Sequence, residues 1–216
     1  MVDFQRQRKE YEDHGLMERE LGDCPFVAFR NWFQVAIDTV PGKWLEPNAM
    51  TLATSGSDGS VTARTVLLKS LENDHFTFFT NYESKKGRQL AENPHACLLF
   101  HWAWLGRQIR INGTVSKTSR IVSEEYFQSR PRGSQMGAVV SEQSAVIEHR
   151  EVLQQRLDRL QEEVGDGVIH CPEHWGGYSL EPTHMEFWQG RTNRLHDRVV
   201  FERNEEVGWN IKRLSP

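Results

Sequence analysis

Apolar residues recur at helical spacing in only a few stretches of this chain, and short alternating runs dominate between them. From Asp23, a suitable N-cap with Pro25 in the first turn, Phe26, Phe29, Phe33, Ala36, Ile37 and Val40 repeat every three or four positions. That spacing predicts a helix with one apolar face, stopped by Pro41 and Gly42. An aromatic stripe of this kind belongs to a core far more often than to a cofactor site. Upstream, residues 3–20 are polar and mixed in charge, a helix or a mobile arm with little to bury.

From Ala49 the period changes towards two. Residues 50–54, a turn at 55–59 and the run 61–69 read as a hairpin. A second turn at 71–75 leads into a strand at 76–81, and Ser84 caps a short helix that ends at Asn93 and Pro94. Strands are expected at 95–104 and 107–115 around Leu105 and Gly106, then a helix over about 119–128. Residues 144–164 are expected as the longest helix, with Leu153, Leu157, Leu160 and Val164 as a narrow apolar stripe facing the sheet or another subunit. Three further strand-like runs lie near 176–180, 183–188 and 199–213. Seven or eight strands joined by hairpins, with few strand–helix–strand alternations, point to an α+β chain built on an antiparallel barrel with helices outside. No repeat or linker marks a boundary, so residues 1–216 are expected to form one domain.

Composition narrows the function classes. A net charge of −4 over 216 residues argues against a nucleic-acid partner. No apolar run approaches the ~20 residues needed to cross a bilayer, and the charged amino terminus lacks a signal-peptide core, so a cytoplasmic protein is expected. Cys24, Cys97 and Cys171 show no C-x-x-C spacing and read as free thiols. His170, Cys171 and His174 lack a second ligand pair, so no metal site is expected.

The chemistry must come from elsewhere. There is no G-x-G-x-x-G after a strand, no P-loop and no G-x-S-x-G elbow. Four stretches carry clustered basic groups. Arg64 and Lys69 end an apolar run; five apart on a regular strand they face opposite ways, serving two ligands or two sides of one site. Thr80, Ser84, Lys85 and Lys86 put a hydroxyl cap and two lysines at a helix start, where cations oppose the helix dipole unless an anion compensates. Tyr126, Arg130 and Ser134 gather donors around a proline-broken helix end, which taken alone also suits an ordinary polar loop. In the fourth stretch an extended chain from Arg194 would set Arg194, His196 and Arg198 on one face, an arrangement for an anionic planar ligand. On its residues alone this last stretch reads first as a solvated hairpin edge whose charges discourage aggregation.

Trp188-Gln-Gly followed by Arg194-Leu-His-Asp-Arg198 resembles the carboxy-terminal signature of the pyridoxine (pyridoxamine) 5′-phosphate oxidases, and the other three stretches match that family in order and spacing. The resemblance covers nearly the whole chain. It implies a single FMN-binding split-barrel domain in a homodimer, with FMN at the subunit interface. It further implies oxidation of pyridoxamine or pyridoxine 5′-phosphate to pyridoxal 5′-phosphate, with O2 reduced to hydrogen peroxide. By resemblance Arg64 holds the FMN phosphate, and Thr65, Val66, Leu67, Leu68 and Lys69 run along the flavin. Phe79, Thr80, Lys85, Lys86, Gln108, Gln143, Ser144, Trp188 and Arg198 complete the FMN contacts, some from the second subunit. Lys69, Tyr126, Arg130 and Ser134 grip the substrate phosphate, while Arg194 and His196 act over the substrate ring, with His196 kept neutral by nearby guanidiniums. The chain departs from the family where Phe79 replaces a frequent Tyr and Lys85 a frequent Arg, which bears on FMN affinity. The competing readings are a flavin reductase using a nicotinamide on the same barrel, and a non-catalytic carrier of pyridoxal phosphate.

Overall fold

The computed structural model describes residues 10–11, 14–206 and 208–216. Most of the expected amino-terminal arm thus lies outside the described residues. Two compact units emerge, one from Met1–Leu52, Cys97–Gly113 and Pro182–Pro216, the other from Ala53–Ala96 and Thr114–Glu181. Among the described residues there are nine strands: β1 (Ala49–Ser55), β2 (Val61–Leu67), β3 (Ser70–Glu72), β4 (His75–Asn81), β5 (His95–Trp102), β6 (Arg107–Lys117), β7 (Trp175–Gln189), β8 (Asp197–Asn204) and β9 (Gly208–Leu214). They form one sheet in the order β2-β1-β5-β6-β7-β4-β3, with β8 pairing β7 and β9.

The first unit contains α1 (Glu18–Leu21) and α2 (Pro25–Asp38). Helix α2 starts with Pro25 at its first position, where the missing N–H costs nothing, but its N-cap is Cys24 rather than Asp23. Its buried face runs through Phe26, Ala28, Phe29, Trp32 and Ala36, while Ile37 is exposed. Trp32 therefore takes the inward place expected of Phe33. Phe29 meets Phe100 at 5.1 Å between ring centroids and Trp32 meets Phe187 at 5.2 Å, both edge-on. Leu16 is buried, against the expectation that residues 3–20 have little to bury. Its N–H donates to Asp197 and its carbonyl accepts from Arg213, so polar anchors on both sides carry the leucine inward.

The second unit holds α3 (Lys85–Glu92), α4 (Arg120–Ser129), α5 (Arg132–Val140) and α6 (Glu151–Val164). Ser84 and Ser119 cap α3 and α4 through their hydroxyls, accepting from Gly87 and Val122. Two features here differ from the sequence reading. Residues 132–140, where no helix was expected, form one, because Pro131 ends α4 and at once supplies a rigid start for the next helix. The long helix begins at Glu151, not at 144, where Ser144 sits at a φ of 76° that no α-helix continues. Leu157, Leu160 and Val164 do pack inward, against the cluster of Phe127, Met136, Ile169, Cys171 and Trp175.

The carboxy-terminal strands also differ from expectation. The runs at 176–180 and 183–188 are one strand, β7, which passes through Pro182, and the run at 199–213 divides into β8 and β9. No helix among the described residues is long and apolar enough to cross a membrane.

Candidate active site

In the second unit a cavity of about 840 Å3 opens where β2, β4, α4 and α5 meet. That lies within the roughly 300–1,000 Å3 usual for small-molecule sites. Among the described residues its lining carries four cationic side chains, Arg64, Lys69, Lys86 and Arg130, and no carboxylate. Strand β2 ends at Leu67 and β3 starts at Ser70, so the strand breaks between Arg64 and Lys69 and both reach the same cavity.

Neutral groups hold Lys86, Arg64 and Arg130 in place. The ammonium of Lys86, on the buried side of α3, donates to Thr80 Oγ1 (3.1 Å), Ser84 Oγ (3.2 Å) and Gln143 Oε1 (2.7 Å). Burial, with the nearby charge of Arg64 second, lowers its pKa from 10.5 to about 8. Arg64 donates to the hydroxyl oxygens of Thr54 (2.7 Å) and Thr62. The Arg130 guanidinium lies 4.7 Å over the Trp175 ring, and its Nη1 is buried without a hydrogen-bond partner among the described residues. An unmet donor in that position is costly unless an acceptor arrives, so the atom fits a ligand oxygen.

Aromatic rings set the shape of the same wall. Phe79 stacks on Tyr126 at 3.9 Å and lies nearly parallel to Trp175 at 5.7 Å. This stack needs Gly177, which pairs with Phe79 across β4 and β7; a Cβ there would stand 2.9 Å from the Phe79 ring. Trp175 was not singled out in the sequence, although Trp-Gly-Gly at a strand start is the signal that could have found it.

Of the expected residues, Thr65, Val66, Leu67, Phe79, Thr80, Tyr126, Ser134 and Gln143 line this cavity together with the four cations. Leu68 is buried outside the lining, and Lys85 and Ser144 meet each other, the Lys85 N–H donating to Ser144 Oγ at 3.2 Å. Gln108, Trp188, Arg194, His196 and Arg198 belong to the first unit and are not part of the lining.

In that unit the stretch expected to extend from Arg194 does not. Residues Thr192–Arg194 form a 3-10 turn with Asn193 and Arg194 at φ 54° and 61°, and the strand starts only at Asp197. The alternation that placed Arg194, His196 and Arg198 on one face therefore fails. Asp197 fixes the turn instead, taking Leu16 N–H at 3.0 Å, Arg191 at 3.1 Å and Arg213 at 2.6 Å. His196 lies 4.6 Å from the Trp188 ring, and its Nδ1 accepts the Arg191 N–H at 3.0 Å, which leaves the neutral Nε2–H tautomer. Its pKa is lowered as expected, but burial leads and Arg194 is second. Arg198 grips Glu186 through two bonds of 2.8 and 3.1 Å, and Arg110 shares that carboxylate.

Comparison with known proteins then bears on these residues. A family model described as pyridoxamine 5′-phosphate oxidase matches residues 40–163, and one described as the pyridoxine 5′-phosphate oxidase C-terminal dimerisation region matches 175–216. A relative from Rhodopirellula baltica, named pyridoxine/pyridoxamine 5′-phosphate oxidase, is 49% identical over 97% of this chain and 95% of its own. One of the same name from a Cyanothece species is 51% identical over 97% and 96%. Among solved structures, PhzG from Burkholderia lata, in complex with tetrahydrophenazine-1-carboxylic acid, aligns with a TM-score of 0.85 at 29% identity, over 95% of this chain and all of that one. A pyridoxamine 5′-phosphate oxidase-related, FMN-binding protein from Nostoc punctiforme aligns at 0.69 with 15% identity, over 91% and 100%, a likeness of fold alone. The fold is the antiparallel split β-barrel with surrounding helices expected from the sequence.

Proposed function

The chain belongs to the pyridoxamine 5′-phosphate oxidase family, and we propose that it is an FMN-dependent oxidase making pyridoxal 5′-phosphate from pyridoxamine or pyridoxine 5′-phosphate. The observation that carries this reading is the cavity whose cations are Arg64, Lys69, Lys86 and Arg130, without a carboxylate among the described residues. Such a lining suits ligands that bring more than one negative charge, and FMN and a phosphorylated pyridine each bring a phosphate. The orphaned Arg130 Nη1 and the uncompensated charge on Lys86 are what these groups would satisfy.

FMN, when bound, would supply a two-electron acceptor for oxidation of the 4′ carbon, with O2 as the final acceptor giving hydrogen peroxide and, for the amine, water hydrolysing the product imine to release ammonia. The protein's own part is position and electrostatics. Arg64, Lys86 and Thr80 would hold the flavin phosphate and ribityl chain, and residues 65–67 would run along the ring system. Lys69, Tyr126, Arg130 and Ser134 hold the substrate phosphate and turn that binding into orientation of the carbon to be oxidised. Arg194 and His196 hold the ring, His196 as a neutral group able to donate through Nε2.

The enzyme is proposed to be a cytoplasmic homodimer with FMN between subunits. What supports the dimer is the dimerisation region matched over residues 175–216, which carries Trp188, Arg194, His196 and Arg198. None of these four, nor Gln108, lines the cavity in its own chain, so a partner's hairpin is the proposed source of the missing ring contacts.

An anaerobic absorbance experiment tests the reading. Purified protein reconstituted with FMN should bleach on adding pyridoxamine 5′-phosphate and recover its colour with O2. A nicotinamide that bleaches it where the pyridoxamine ester does not would favour the flavin reductase instead; protein that takes up no FMN would defeat both.

A further inference from the structure

Behind Arg64 lies a buried polar cluster that belongs to none of the groups assigned above. Its centre is Gln89, on α3 and 5% exposed. The Gln89 amide nitrogen donates to the Ser60 carbonyl at 3.1 Å, and a carbonyl can only accept. That bond fixes which way the amide is turned, so Oε1 faces the other side. There it accepts from Thr54 Oγ1 at 2.7 Å and from Thr62 Oγ1 at 2.6 Å. Each hydroxyl has one proton, and both are spent on Gln89. Towards Arg64 the two threonines can therefore only accept, and a guanidinium can only donate. The Arg64 Nη1 and Nη2 groups donate to Thr54 and Thr62 in turn.

We propose that Gln89 is a positioning residue for phosphate binding: by taking both threonine protons it fixes Thr54 and Thr62 as acceptors, which sets the plane of the Arg64 guanidinium at the cavity wall. The inference rests on the reading of Arg64 as part of the FMN phosphate site. Without Gln89 either hydroxyl can rotate its proton towards Arg64, and the guanidinium loses its two fixed supports. Helix α3 links this cluster to Lys86 three residues earlier, so one helix sets both cations: Lys86 directly, Arg64 through the threonines.

The test separates phosphate from ring. Apo-protein, wild type and Gln89→Met, is titrated with FMN and with riboflavin, which lacks the phosphate, following quenching of flavin fluorescence. Gln89→Met should weaken FMN about tenfold, the size of one charge-assisted hydrogen bond, and leave riboflavin unchanged. Thr62→Val should act in the same direction, and Thr62→Ser, which keeps the hydroxyl, should restore FMN affinity; this pair carries the test if Gln89→Met does not fold. In a Thr54→Val, Thr62→Val background Gln89→Met should add nothing. Equal losses for FMN and riboflavin, full additivity, or unchanged FMN affinity would each overturn the proposal. A wild-type protein that binds neither flavin would instead sink the FMN reading beneath it.

Discussion

In the cavity Lys86 is held by three neutral oxygens and Arg130 by an aromatic face, whereas near the 192–198 turn Arg191 and Arg213 lie on Asp197 and Arg198 lies on Glu186. The two regions are similarly basic, yet they use charge differently. A cation whose partners are neutral keeps its field for an incoming anion. A cation on a buried carboxylate has its field cancelled and contributes geometry. Arg194 stands apart in its own region: it is exposed and lies on no carboxylate among the described residues. On this comparison Arg130 and Lys86 keep their charge open to a ligand, the role also proposed for Arg64 and Arg194, while Arg191, Arg198 and Arg213 are held by the carboxylates that build the turn.

The sharpest break would come at Arg194. Arg194→Ala should lower kcat/KM on the order of a hundredfold with FMN content intact, as expected for one positioned, charge-assisted contact. His196→Asn keeps one hydrogen bond and should cost less. Stopped-flow reduction by pyridoxamine 5′-phosphate without oxygen isolates the step, and wild-type rates in both variants would move Arg194 to the architectural group. Next in size, Arg130→Ala should raise KM for the phosphorylated substrate about ten- to a hundredfold while FMN stays bound. Loss of flavin instead would reassign that guanidinium.

Stability draws the same line. Glu186→Ala leaves two guanidiniums around an emptied, nearly buried site and should destabilise by about 2 kcal/mol in urea unfolding. Lys86→Met should leave apo-protein stability unchanged or higher, yet weaken FMN about tenfold. Equal destabilisation by the two would erase the distinction. The smallest effect is in pH. The Lys86 pKa of about 8 is raised when an anion binds beside it, so binding takes up a proton and FMN affinity should fall as pH rises through 8. For the apo-protein the sign reverses: between about 8 and 10.5 the unfolded chain holds more protons, so this lysine adds stability as pH rises. Isothermal titration in buffers of different ionisation heat measures the uptake, and none at pH 8.5 would place Lys86 away from the phosphate.

The sequence determined what local rules govern. Period-two runs and turn residues located the hairpins, as at Asn73 and Asp74, whose left-handed φ of 48° and 63° joins β3 to β4. A serine cap located α3, and proline located the start of α2. Basic residues at strand and helix ends marked Arg64, Lys86 and Arg130 as candidates, because charge at such places is visible in one dimension. Tertiary structure alone decided the rest. The sequence does not say that Lys86 would meet three neutral oxygens and Arg198 a carboxylate, since those partners lie between 2 and 57 residues away for Lys86 and 12 for Arg198. It does not say that Thr192–Arg194 would coil rather than extend, because the pull on Asp197 comes in part from Leu16, 181 residues distant. Nor could it find Gln89, whose role depends on which way an amide turns between a carbonyl and two hydroxyls. Local propensity reaches a few residues along the chain, and a hydrogen bond's direction is settled only when every neighbour is in place.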